Sequence, residues 1–277
     1  MSDSVPGPAE AAFVQRFSSR LAAEVSHFVA DWEDRAGARL KLDPGTQHGV
    51  VLAYDGEVVG FATADAFGGD DLEVAAAVDS ADDWEVIRPV IGRHAHTVGA
   101  SDILLIVDPR DVVMRAVVGD AVPRSVELRL SLDASTFAFG HGARAMKSLA
   151  LRPADDVDIP FITGLELEAF GRSDPRFVAG EVVNTALVLV NEIPVGKARV
   201  ERHGTDAGVY GLAIAREWRN RGIGTAALAL VVQELIDGGA TRIYLEVDAG
   251  NSAAIHVYES LGFRKVAEFR YYALPVD

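Results

Sequence analysis

Val209-Tyr-Gly-Leu-Ala-Ile-Ala215, Arg216-Glu-Trp-Arg-Asn-Arg-Gly-Ile-Gly224, Thr225-Ala-Ala-Leu-Ala-Leu-Val-Val232 reads as an apolar strand, a basic turn holding two glycines, and a helix. The first amides of a helix have no partner inside it and sit at the positive end of its dipole, and glycines let a phosphate come close. With Arg219 and Arg221 adding charge, the segment is built to hold a pyrophosphate. It lacks the third glycine of a dinucleotide fingerprint and the Lys-Ser/Thr of a nucleoside triphosphate loop.

Working outward, the second half reads as a strand at 146–151, helices at 159–170 and 177–183, and a hairpin of 185–191 and 195–202 turning at Glu192-Ile193-Pro194. After the central segment come a strand at 242–247, a helix at 253–261 and a strand at 264–274. The first half runs through the same order. Phe13, Phe17, Leu21, Val25 and Phe28 lie on one face of a helix expected over 9–34, and Asp55-Gly56 marks a hairpin of 48–54 and 58–64. A strand at 72–78, a helix at 84–98, a strand at 102–107, a short helix at 111–118 and a strand at 125–132 complete it. Repetition of the order points to internal duplication. We therefore expect two related α/β domains, residues 1–145 and 146–277, joined near Phe139-Gly140-His141-Gly142.

The composition, 49% apolar and 24% charged over 277 residues, suits two globular domains. A net charge of −15, most of it in the first half, argues against a nucleic-acid partner, which needs clustered Lys and Arg; it suits a cationic or amine substrate, and reads first of all as an acidic surface that keeps the protein in solution. Without cysteine there is no disulfide, thiolate metal site or cysteine nucleophile. With no leader-like start and no long apolar run, neither membrane association nor export is expected, and the protein reads as cytoplasmic.

Arg219-Asn220-Arg221-Gly222-Ile223-Gly224 resembles the R/Q-x-x-G-x-G/A signature of the GNAT superfamily, which holds the pyrophosphate of coenzyme A. Downstream, Ile243-Tyr-Leu-Glu-Val-Asp248, Asn251 and Tyr258-Glu-Ser-Leu-Gly-Phe263 resemble the rest of the family in order, so the resemblance spans residues 146–277. It implies an α/β (α+β) chain of two tandem GNAT-like domains, each a mixed, mainly antiparallel twisted sheet flanked by helices. It also implies an acetyl-CoA-dependent N-acetyltransferase acting on a primary amine by direct attack, with no metal.

By resemblance, Arg219, Asn220, Arg221, Gly222, Ile223, Gly224 and Thr225 hold the pyrophosphate, and backbone amides of Leu212, Ala213 and Ile214 meet the acyl oxygen where two strands splay. Asn251 is a helix cap, and the family's Asn here also meets the pantetheine arm. Tyr258 corresponds to the family's general acid, since a phenol stays protonated at neutral pH yet can donate to a thiolate, while its other reading is a core aromatic. Glu246 stands twelve residues before Tyr258, as does the base of the ribosomal N-terminal alanine acetyltransferases; it reads equally as an ordinary polar strand residue. Glu217, Glu192 and Glu181 are weaker candidates for the base.

The first copy departs from the pattern. Ile106 stands where Glu246 would be, no Tyr occurs between Asp111 and Ala121, and Asp79, Asp82 and Asp83 replace the glycine turn with charges that repel phosphate. Residues 1–145 are expected to keep the fold without catalysis, an arrangement resembling the mycothiol synthases. That similarity points to a small-molecule amine as acceptor, with a peptide N-terminus, or acyl-CoA binding without turnover, as the alternatives. Each copy ends in one long strand without a seventh, which exchange of strands between the halves would repair.

Other features call for no site. His94 and His96 lie on poorly aligned faces for chelation, and Asp155, Asp156 and Asp158 suit a helix start. One of Tyr271 and Tyr272 is expected to line the acceptor pocket, and Glu168 and Asp174 either steer a cation or are solvated.

Overall fold

In the computed structural model, which describes residues 10–42, 48–65, 71–138 and 148–276, the chain forms two units, Met1–Glu127 with Ala267–Asp277, and Leu128–Val266. This differs from a cut at 145/146, because each half ends in a strand whose later part belongs with the other half's unit. The expected linker at 139–142 lies outside the described residues.

The first unit runs β1 (Glu10–Val14), α1 (Ser19–Ala36), β2 (Gly49–Tyr54), β3 (Glu57–Ala62), β4 (Asp71–Ala77), α2 (Ala81–Val98), β5 (Asp102–Val107), α3 (Val112–Val118) and the start of β6 (Ser125–Asp133). The helix expected over 9–34 is a strand followed by a helix. Ser18 ends the ambiguity: in an extended conformation, its side chain accepts from the Leu21 amide and starts α1. Phe13 instead pairs with Val50 across β1 and β2. Asp55 and Gly56 both take positive φ, as the tight hairpin requires.

The strands lie in the order β1-β2-β3-β4-β5, and the C-terminal strand Arg264–Pro275 closes the sheet antiparallel to β5, Arg270 opposite Val107 and Pro275 opposite Asp102. Ile87 and Ile91 of α2 pack on one face against Leu52 and Leu105, and Phe28 and Trp32 of α1 pack on the other against Phe61 and Phe269. Tyr271 and Tyr272, one of which was expected at the acceptor pocket, are both buried, in these two opposite cores. Burying a side chain such as Phe269 contributes roughly 2–3 kcal/mol, so the last strand is integral to this core.

The second unit adds β7 (Leu149–Pro153), α4 (Ile159–Phe170), α5 (Pro175–Glu181), β8 (Thr185–Val190), β9 (Ile193–His203), β10 (Asp206–Ile214), α6 (Ile223–Asp237), β11 (Arg242–Asp248), α7 (Ser252–Ser260) and the start of β12 (Arg264–Pro275). Its strand order is β6-β11-β10-β9-β8-β7. The β8–β9 turn sits at Asn191-Glu192, both at positive φ, rather than at 192–194. Asn tolerates that conformation, which leaves Pro194 free to enter β9 opposite Leu189, beside a bulge.

α6 is buried along Leu228, Val231, Val232 and Leu235 against Val209, Ile243 and Leu245. Its C-terminus is closed by the Arg202 guanidinium, which lies over the carbonyls of Glu234 and Leu235 at 3.4 and 3.5 Å in the space that a Cβ at Gly238 would take. α4 and α5 cover the other face through Ile162, Leu165 and Val178. Among the described residues no helix is long and apolar enough to cross a membrane, and no group of acidic or histidine side chains could hold a metal ion.

Candidate active site

β10 and β11 run parallel, paired from Asp206 opposite Arg242 to Val209 opposite Leu245, where the pairing stops. On its other side β10 departs from β9: Tyr210 faces Arg199 and Ala213 faces Lys197, so Gly211 and Leu212 form a bulge, with Gly211 at φ +53°. Bulges bend a strand and sharpen its twist, so the end of β10 turns from β11 and the sheet opens at the carboxyl ends of its parallel strands. Leu212, Ala213 and Ile214 are the last residues of β10, at and past the bulge.

The loop after β10 starts as one turn of 3-10 helix, Arg216–Trp218, and reaches α6 through two left-handed residues, Asn220 (φ 60) and Gly222 (φ 74). No side chain caps α6. Its first helical bond runs from the Ala226 amide to the Gly222 carbonyl, so the amides of Ile223, Gly224 and Thr225 have no acceptor within the helix. Gly222 is required by its conformation. At Gly224, however, a Cβ would meet only Ile214 Cγ1, at an ordinary 3.7 Å. The protein's own packing does not demand glycine there, and the space in front of the amides is what its absence of a side chain preserves. The residues present thus fit a pyrophosphate.

The two arginines are placed differently from the sequence reading. Arg219 donates to the Ile214 carbonyl at 2.7 Å and to Glu168 Oε1 at 2.7 Å, and the same carboxylate oxygen accepts from the Arg216 amide at 2.9 Å. Arg221 lies over the Trp218 ring and donates to the Glu217 carbonyl. These contacts set the loop's shape. Glu168 is therefore a brace of the loop, and Asp174 caps α5 through the Arg176 amide; neither is simply a solvated or steering charge.

After β11, Asn251 Oδ1 accepts from the Ala254 amide at 3.1 Å, capping α7 as the sequence anticipates. Tyr258 lies on α7, half-buried, its ring 6.3 Å from Phe263, and burial pushes its phenol above the ordinary value. The Phe263 amide donates back to the Tyr258 carbonyl through a turn at Gly262 (φ 98), which gives the Leu-Gly-Phe pattern its structural meaning.

Glu246 is the first β11 residue past the last paired position, on the face opposite Leu245 and Val247. Its Oε1 accepts from Arg129 Nε at 2.9 Å and Nη2 at 2.7 Å, a pairing with no local signal, because β6 comes from the other half of the chain. On this face Tyr210 donates to the Tyr244 hydroxyl at 3.1 Å, Arg199 lies over the Tyr210 ring, and Arg199 binds Glu181 and Glu201. Glu181 is thus held in an ion pair, Glu192 sits in the hairpin turn, and Glu217 is exposed in the loop before α6.

Sequence reasoning missed a second pair as well. Lys197, 3% exposed, is ion-paired with Glu166 of α4 close to the bulge. A lysine at an inward position of a strand otherwise apolar there was the available signal. A cavity of about 490 Å³ lined by Arg152, Thr185, Arg202 and Glu234, among others, lies elsewhere in this unit and shares no residue with the candidate site.

Residues 138–263 match the acetyltransferase (GNAT) family, and this segment is a GNAT domain. Similar curated proteins include the [ribosomal protein bS18]-alanine N-acetyltransferase of Escherichia coli, 37% identical over 26% of this chain and 49% of that protein. Mycothiol acetyltransferase of Corynebacterium efficiens is 34% identical over 25% of this chain and 24% of that one. The chain thus spans about half the length, or less, of these relatives. A tandem GNAT protein from the clavulanic acid biosynthesis pathway shares the fold at a TM-score of 0.68 and 13% identity, over 98% of this chain and 99% of that one.

Proposed function

We propose that the second unit is an acetyl-CoA-dependent N-acetyltransferase for a primary amine. The observation that carries this reading is the uncapped start of α6 beside the opening between β10 and β11. In this reading the amides from Gly222 to Thr225 hold the pyrophosphate, Arg219 and Arg221 keep their loop in shape, and Asn251 borders the pantetheine arm. Acetyl-CoA supplies an activated acyl carbon. The amine's lone pair bonds to that carbon, the C–S bond breaks, and sulfur leaves with the bonding electrons. Backbone amides at Leu212 to Ile214 meet the charge that gathers on the acyl oxygen. Tyr258 gives its proton to sulfur, and the nitrogen's surplus proton leaves through Glu246 or water, so the phenol regains a proton from solvent. The Arg129 contact holds Glu246 in a fixed orientation.

The first unit serves as a platform without catalysis: α2 is capped by its own Ser80, and Ile106 stands where the second copy has Glu246. A small-molecule amine is the leading acceptor. A peptide N-terminus is the second reading, favoured by Leu167, Phe170 and Phe177, apolar side chains left 59%, 48% and 40% exposed on α4 and α5.

Calorimetric titration of acetyl-CoA into the intact protein, followed by thiol release with amines, aminoglycosides, cysteinyl conjugates and N-terminal peptides, tests this. Saturable binding with thiol release for one class is expected. Binding without turnover across all classes would turn the reading toward a regulatory acyl-CoA module, and no binding would end it.

A further inference from the structure

Lys197 pairs through its backbone with Ala213, the residue just past the bulge, while its side chain folds back beneath Gly211: a Cβ there would stand 3.0 Å from Lys197 Nζ. Glu166 of α4 binds the ammonium through Oε1, and its Oε2 accepts from the Ser173 hydroxyl at 3.0 Å. The Phe170 ring closes the remaining side, its centroid 5.9 Å from the nitrogen. Burial pushes the lysine below its ordinary pKa, against the pull of Glu166.

Such a pair is a poor device for stability. A buried ammonium and a largely buried carboxylate both lose hydration, and apolar side chains of the same volume commonly serve as well or better. What a buried ammonium offers is a fixed charge at a chosen point, and the point here is the bulge that turns β10 at the opening of the sheet.

Resting on the acetyltransferase reading above, we propose that Lys197 is a positioning residue for acyl transfer. Clamped by Glu166, it holds the Gly211–Leu212 bulge in the orientation that aims the amides of 212–214 at the acyl oxygen, and it sets a positive charge behind that oxygen. Two contacts act together: the backbone pairing fixes one side of the bulge and the ammonium the other. The Ser173 bond ties the same carboxylate to the loop between α4 and α5.

The test uses the whole chain and acetyl-CoA carrying 13C at the acyl carbonyl. In the native protein the bound carbonyl stretch is expected to fall below that of free acetyl-CoA, reporting a polarised C=O bond. In Lys197→Met the stretch should return at least halfway to the free value while the Kd for acetyl-CoA stays within about threefold, since the pyrophosphate is held elsewhere. Once an acceptor is known, kcat should fall about 100-fold, the order seen when one oxyanion donor is removed, with KM for acetyl-CoA little changed. A native carbonyl shift in Lys197→Met at native affinity overturns the proposal. Should Lys197→Met not fold, Glu166→Gln takes its place, with partial loss of the shift expected and a native shift overturning. Failure of the native protein to bind acetyl-CoA would instead sink the acetyltransferase reading itself.

Discussion

Two helices begin in equivalent places, α2 after β4 in the first unit and α6 after β10 in the second, and they use their first amides in opposite ways. At α2, the Ser80 side chain accepts from the Asp83 amide at 3.2 Å, Asp82 and Asp83 fill the first turn, and Asp79 just before it binds Arg35 at 2.7 Å. That terminus is satisfied from within. At α6 glycine stands on either side of the helix start and no side chain turns back to cap it. One dipole is answered by the chain's own side chains, and the other is left for something the chain does not carry. A helix start that is merely structural is generally capped, because the cap contributes about 1 kcal/mol.

The largest test of this contrast is to give α6 the acidic first turn of α2. Gly224→Asp meets only ordinary packing in the protein, yet places a carboxylate where pyrophosphate would lie. Acetyl-CoA binding by calorimetry should weaken by more than about 100-fold, roughly 3 kcal/mol, with the thermal midpoint near native. Undiminished affinity would show that the cradle lies elsewhere.

Next in size is Tyr258→Phe, expected to lower kcat by about 100-fold, the lower range for a lost general acid, while acetyl-CoA affinity is kept. The pH profile sharpens the same point. Burial raises the Tyr258 phenol above its ordinary 10.0, so the protonated, donating form persists beyond pH 10. Rates should rise with pH as the amine acceptor loses its proton and show no alkaline fall below about pH 10. A fall centred near pH 8 would assign the proton to another group. The smallest effect belongs to α2: Ser80→Ala should cost about 1 kcal/mol of stability in denaturant titration and leave the Kd for acetyl-CoA unchanged.

Most elements were legible because their signals are local. The strand-turn-helix around Gly222, the Asn251 cap and the Asp55-Gly56 hairpin each rest on residues within one turn of each other. The start of α1 was misread because Phe13 and Phe17 continue the helical spacing by coincidence, and only Ser18 breaks it. At the site, the arginines were read by charge alone. The position of Arg219 depends on Glu168, some fifty residues earlier, and no spacing rule joins the two. The partners of Arg129 and Lys197, Glu246 and Glu166, were out of reach for the same reason: each pair is made by sheet order or helix packing rather than by sequence neighbourhood, although Lys197 itself stood out in its apolar strand.

The placement of residues 267–275 beside β5 bears on how the protein is made. A ribosome delivers β1 to β5 long before it delivers their last neighbour, so the first unit leaves the tunnel with one edge of β5 uncovered and waits for the whole second unit to be translated. Its sheet closes only once residues 267–275 have themselves emerged from the exit tunnel. Loss of residues 267–275 should thus damage the amino-terminal unit first, although they follow the second unit in the chain.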